Sequence, residues 1–313
     1  YPPGLDPLHV VLVDGDLLLA YAGVVTMHLH HGGLDWRVVV ALTPLALIFL
    51  GFFLMPIAGM LITSLQSAEN RGSGASWTMT NYSAIGNGVR RQAFVNSVEL
   101  SALAATIAAG FGLLVAAGLS QLKSRKVDEV TGIISSVLAN SGGAPLAFSF
   151  VVLLGNVGYL TPFISRVDPS FSLYSVRGLV VMYQYFLIPT MVLLVLPSLK
   201  AIKTSWKEAN TSLGGSPWMF WRRVGGPILL PTVLGAWVML FGASFATHAC
   251  AAVLMGTGAF PLATLQIGGE LASSASSGGE NVAMAMGIAT TVVAVLVLVV
   301  FNWLQERSQR WLM

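Results

Sequence analysis

The sequence predicts an all-α membrane protein with six transmembrane helices, and three observations carry that reading. Apolar residues make up 55% of the 313 residues, whereas Asp, Glu, Lys and Arg make up 9%, against about 25% charged residues in an ordinary soluble chain. The mean hydropathy is +0.76. Apolar stretches of about 20 residues, the helix length that crosses about 30 Å of hydrocarbon, recur along the chain. With 16 basic and 13 acidic residues, net charge +3, there is too little charge to coat a water-soluble surface and too weak a basic excess for a nucleic-acid partner. The single cysteine, Cys250, lies in an apolar run, so there is no disulfide framework.

The spans fall at about 37–65, 95–119, 131–155, 179–199, 228–256 and 281–303. The segments between them do not span. Residues 66–94 hold Glu69, Arg71, Asn81, Arg90 and Arg91, and 121–130 is the polar run QLKSRKVDEV. Residues 156–178 and 257–280 are rich in Gly, Ser and Pro, and 200–226 carries Lys200, Lys203, Lys207, Arg222 and Arg223. Basic loops stay in the cytoplasm. Both termini inside leaves only Arg71, Arg90, Arg91, Arg166 and Arg177 outside, and that orientation is the expected one.

Residues 1–36 read as an N-terminal extension, partly disordered or lying on the membrane. The apolar run 9–30 is cut by Asp14, Gly15 and Asp16. It has neither the basic flank nor the small-residue cleavage site of a signal peptide. His28, His30 and His31 are close enough to share an ion, but no carboxylate or thiolate completes a tetrahedral set, and no metal is expected.

The loop 200–226 stands out in length and content. Ser205 and Glu208 have capping-box spacing, which predicts a helix with Ser205 as N-cap. Gly214-Gly215 ends it, and Ser216-Pro217 opens a second helix with a cap and an N1 proline. Gly225-Gly226-Pro227 is expected to break that helix before the fifth span. Trp206, Leu213, Trp218, Phe220 and Trp221 are available for apolar contact, which suits docking to a soluble partner.

In these residues the chain resembles the permease subunits of type I ATP-binding-cassette (ABC) importers. Their cytoplasmic loop carries an E-A-A-x-x-x-G motif, followed by an aromatic and a hydrophobic-Pro segment. The match covers Glu208-Ala209, Leu213-Gly214, Ser216, Trp221, Val224, Pro227 and Pro231. It departs at Asn210 and Gly215, where Ala is usual, and at Gly226, where Leu often precedes the Pro. The resemblance implies the type I permease fold with 92–305 as its domain, 37–65 as an added helix and 306–313 as a cytoplasmic tail. It makes 200–226 the coupling loop, with Glu208, Ala209, Leu213, Gly214, Ser216, Pro217 and Trp221 at the ATPase. Asn81-Tyr82 and Asn96-Ser97 fit the same family. Pro145-Leu146-Ala147-Phe148, Gly155-Asn156-Val157-Gly158 and 184–197 look most like the branch that moves polyamines, ferric iron, phosphonates or thiamine, with polyamine first.

The chain holds no G-x-x-x-x-G-K-[ST] phosphate loop. ATP and Mg are therefore expected in a partner, and no enzyme activity or cofactor in this chain. The implied assembly has two ATPase subunits, a second permease (a paralogue or the same chain) and an extracytoplasmic solute-binding protein, in a bacterial inner membrane. Polar positions inside spans usually face a cavity or another helix. Asn140 and Ser141, before Gly142-Gly143 and Pro145, are candidates for the translocation pathway, as are Tyr183, Gln184 and Glu99. Two other classes compete. An intramembrane serine protease would use Ser244 with His248, although no Gly follows the Ser and no oxyanion hole is visible. A carrier or channel would need no ATPase, but it leaves the loop unexplained.

Overall fold

The computed structural model describes residues 36–67, 76–122, 124–256, 260–273 and 279–309. The histidine cluster, the N-terminal extension and the last four residues lie outside them. The chain divides into two compact units, Tyr1–Gly59 and Met60–Met313. In the first, α1 (Trp36–Phe49) passes through a π turn, Leu50–Leu54, into α2 (Met55–Ser64), which carries on into the second unit. Leu42–Ser64 is apolar enough to cross a membrane.

Among its described residues the second unit is a series of helices joined by turns and loops, with one antiparallel bridge between Gln66 and Trp77. After α3 (Thr80–Ile85) come α4 (Gly88–Ser120), α5 (Arg125–Asn140), α6 (Ala144–Leu154), α7 (Thr161–Val167) and α8 (Val176–Lys200). Then follow α9 (Thr204–Ser212), α10 (Pro217–Phe220), a π turn (Trp221–Gly225), α11 (Gly226–Ala246), α12 (Ala249–Met255), α13 (Ala263–Ala272) and α14 (Gly279–Gln309). Among the described residues, five segments are long and apolar enough to span, and a sixth exists if α5 and α6 count as one. That pair is bent by 95°, so the third span expected over 131–155, with its interruption at Asn140–Gly143 and Pro145, is a sharply bent helix pair, a broken span or a re-entrant loop. The chain turns at Ser141–Gly143 because Gly143 takes φ +97°, a conformation natural only to glycine. Pro145 then restarts the helix in its first turn.

The core is the α4–α8 contact. Ala104, Ala108, Gly112 and Ala116 recur every fourth residue on α4 and are buried against Tyr183, Leu187, Met191 and Val195 of α8. Small side chains let the two backbones approach, and a Cβ on Gly112 would lie 2.5 Å from the Met191 Cβ.

Ion pairs and hydrogen bonds fix which loops share an end. Asp128, at the start of α5, pairs with Lys200 at the end of α8, so the segments 121–130 and 200–226 lie together. At the opposite end, Asn81 Nδ2 donates to Gln66 O (3.0 Å), as does Asn281 Nδ2 (2.6 Å). Asn96 Nδ2 donates to Pro261 O (2.9 Å), and Ser97 Oγ accepts from Ala263 N (2.8 Å), the first amide of α13. Arg90 Nε donates to Glu270 Oε1 at 2.9 Å. The two-sided distribution of polar loops read from the sequence is therefore present in the fold.

Candidate functional site

The loop after α8 folds as the two short helices the sequence foretold, with different caps. α9 starts at Thr204, its N-cap is Lys203, and no side chain caps it. Ser205 thus sits inside the first turn and the expected capping box does not form. Trp206, in the same first turn, packs against the core. Glu208 and Ala209 lie on the exposed surface of α9, and Glu208 has no ion-pair partner among the described residues.

The C-terminus of α9 closes as a Schellman motif. Gly215 N donates to Asn210 O (2.8 Å) and Gly214 N to Thr211 O (2.9 Å), the 6→1 and 5→2 pair that satisfies the last carbonyls. Gly214 holds the left-handed position, φ +76°. Asn210 Nδ2 reaches past the turn to Gly215 O (3.0 Å) and Ser216 O (3.2 Å). Ser216 caps α10 by accepting from Met219 N at 3.2 Å, with Pro217 in the first turn.

The expected break at Gly225-Gly226-Pro227 is absent, and one helix runs from Pro217 to Ala246. In the π turn, Gly226 N donates to Trp221 O, five residues back. The ladder restarts there, so Pro227 falls in the first turn of α11, where its missing N–H costs little. Gly225 leaves room for the Trp221 ring, 2.6 Å from where its Cβ would stand. Lys207 Nζ lies 5.7 Å from the centre of that ring, tying α9 to the π turn. Phe220 is buried and stands edge-on to Trp221. Leu213 and Trp218 stay 88% and 74% exposed, apolar side chains on a basic loop with nothing among the described residues covering them.

A second feature lies within the spans. The α5–α6 break meets the one between α11 and α12, where Cys250 Sγ donates to Gly143 O at 3.2 Å. Tyr183, buried, packs against the Phe186 ring at a tilt and donates to Thr247 O at 3.4 Å. Gln184 Nε2 donates to Val180 O (3.0 Å) and Ala104 O (3.3 Å), while its Oε1 finds no protein partner. Asn140 and Ser141 sit at the α5 end, bonded back to Ser136 O and Val137 O, with Asn140 exposed. Glu99 is exposed on α4. The structure thus brings Tyr183 close to the paired breaks, and Asn140 and Ser141 flank one of them. The sequence reading missed the α11–α12 break, whose only sign was the polar pair Thr247-His248 in an apolar run.

Ser244 Oγ is buried and has no hydrogen-bond partner, so no imidazole activates it, and the protease pairing with His248 is not formed. Among the described residues, no three His, Cys, Asp or Glu side chains gather as a metal site. A cavity of about 240 Å³ between α11 and α14 is lined by Trp237, Phe241, Val293, Val297 and other apolar residues, and offers nothing to a polar solute.

No family model matches the chain, and no curated protein matches it in sequence. Solved structures do. A bacterial ABC transporter involved in the import of the acidic polysaccharide alginate contains a chain 17% identical to this one, with a TM-score of 0.67 over 88% of this chain and 96% of that one. A bacterial alginate ABC transporter in complex with an alginate pentasaccharide-bound periplasmic protein gives 17% identity and a TM-score of 0.67, over 88% and 95%. At this identity the likeness shows the fold: an all-α, multi-pass membrane chain built like the permease of an ABC transporter.

Proposed function

We propose that this chain is the permease subunit of an ATP-driven bacterial importer. It forms half of the translocation pathway and converts closure of a partner ATPase into alternating access. The observation that carries the reading is the loop 200–226: a braced pair of helices with Leu213 and Trp218 bare and Glu208 unpaired, at the tip of a helix that runs on into α11. A carrier or channel working without an engine has no use for such a patch. The fold likeness supports the same reading. In this reading two ATPase subunits bind ATP and Mg, a second permease completes the pathway, and an extracytoplasmic solute-binding protein delivers the solute.

The loop 200–226 faces the cytoplasm in this proposal, with both termini inside, since the basic residues concentrate at its end. The paired breaks, with Asn140, Ser141, Tyr183, Gln184 and Glu99, are the proposed region of solute passage. A polyamine is the first solute proposed, on the resemblance of residues 145–148, 155–158 and 184–197. Ferric iron, phosphonate and thiamine belong to the same branch. The neighbouring structures concern alginate, and nothing in them favours the polyamine.

The test is purification of the chain from its own membrane in mild detergent, with the associated proteins identified by mass spectrometry. An ATPase subunit is expected, and a co-purifying binding protein identifies the solute. A chain that comes alone and transports without ATP overturns the proposal.

A further inference from the structure

The segment between α6 and α8 presents its apolar side outward. Leu160 at the N-cap of α7 and Phe163 and Val167 on the helix fall at i, i+3 and i+7, one face, and all are exposed, as are Val157 and Tyr159 in the preceding turn. Only Ile164 of α7 packs inward against the core. In water this arrangement is unfavourable, and nothing from the described residues covers it.

The level of this face along the bundle is fixed. Asp168, directly after α7, pairs with Arg177 in the first turn of α8 at 3.9 Å. Hydrogen bonds from the Ser170 hydroxyl (2.6 Å) and amide (2.9 Å) hold the Asp168 carboxyl below the usual carboxylate range, with Arg177 adding to them, so it stays ionised. α8 has 25 residues, about 37 Å of helix against about 30 Å of hydrocarbon. Its far end, Lys200, lies at the coupling loop. Its first turn, and the end of α7 tied to it, therefore stand at the opposite membrane boundary. Arg166 lies there too, 5.9 Å from the centre of the Phe163 ring. With Asp168 opposed by Arg177, Arg166 gives the patch a net positive charge.

We infer that α7 and its preceding turn form a lipid-binding surface. Val157, Leu160, Phe163 and Val167 lie among the upper acyl carbons, with Tyr159 and Arg166 in the headgroup layer, where Arg166 selects anionic lipid. An apolar face bordered by an aromatic and a cation is the make-up of an interfacial anchor. A second copy of this chain would need no cation at that point.

The test uses the full chain, with whatever subunits co-purify, in nanodiscs of phosphatidylglycerol and phosphatidylcholine. Nitroxide labels go on Val157→Cys and Val167→Cys; the remaining thiol, Cys250, is buried. Relaxation enhancement by oxygen well above that by a water-soluble nickel chelate is the expected result. Dominant relaxation by nickel means the loop is in water, and shielding from both reagents means protein covers it; either result overturns the inference. In the same nanodiscs, Arg166→Gln should lower the ratio of retained phosphatidylglycerol to phosphatidylcholine about fivefold, by the usual worth of one basic residue at an anionic surface. An unchanged ratio overturns the anionic assignment.

Discussion

The Asn210 amide occupies the space that a Cβ on Gly215 would fill, and it donates to the carbonyls of Gly215 and Ser216 from that position. These are two of the three positions where the loop departs from the usual motif, and the departures are one structural exchange. An Asn replaces an Ala, and the Gly makes room for it.

That exchange predicts non-additivity. Gly215→Ala alone should destabilise the loop by forcing the Asn210 side chain off its carbonyls, and Asn210→Ala alone by removing both bonds. The double variant, free of the clash, should be less impaired than the sum, with a coupling of about 0.5–3 kcal/mol. Hydrogen exchange of the α9–α10 amides in all four proteins measures it, and strict additivity would show that the two residues act apart.

Gly214 has φ +76° and no atom within 4 Å of an added Cβ, so any side chain there costs backbone energy alone, about 1–2 kcal/mol. Gly214→Val is expected to uncouple solute uptake from ATP hydrolysis while membrane insertion stays normal. Gly214→Asn should keep more uptake, because Asn tolerates this conformation. Uptake and ATPase rates of the reconstituted complex decide it; equal uptake in both variants would count against the turn.

Gly112→Leu places a branched side chain against the Met191 side chain and the Ile188 carbonyl. Overpacking of this kind costs about 1–3 kcal/mol. Thermal unfolding in detergent should fall accordingly, whereas Gly110→Leu, on the open side of the same helix with nothing within 4 Å, should leave it unchanged.

Glu270 supplies a pH prediction. Burial raises its carboxyl, but the hydrogen bonds from Arg90 and Gln266 outweigh that and leave it below the usual range. A depressed carboxylate stabilises fully above its unfolded value, about 4.3, and loses that contribution as pH falls through the lower folded value. The attachment of α13 to α4 should therefore be constant from about pH 5 to 8 and weaken only below about pH 4. Hydrogen exchange of α13, corrected for intrinsic rates, reads it out, and Arg90→Gln should loosen α13 at neutral pH as well.

Hydropathy made the helical class, most of the spans and the grouping of loops legible, because each depends on composition summed over about 20 residues. It was blind to direction. In residues 131–155 the run Asn140–Gly143 with Pro145 marked an interruption, but its 95° bend appears only in the fold, with Gly143 at φ +97°. In the loop, Gly214 and Ser216 took the places their residue types demand. Ser205 did not: the helix already starts at Thr204, with Trp206 packed against the core. Gly225-Gly226-Pro227 looked like a break because the one-residue shift of a π turn leaves no mark on hydropathy. The chemistry within the spans was the least legible part. Tyr183 meets Thr247, and Cys250 meets Gly143, only once distant segments have packed.

The helix from Pro217 to Ala246 has 30 residues, a rod about 45 Å long. It begins within the loop 200–226 and ends at the Thr247 break. A tilt of about 5° at its root carries its far end about 4 Å on that length, more than the width of a water molecule. α8 has no such reach, since the turn at 201–203 separates it from α9. The loop thus has a continuous helix on one side and a turn on the other, so under the proposed function a small rocking of a partner gripping Leu213 and Trp218 would be delivered, enlarged, to the place where the two helix breaks meet.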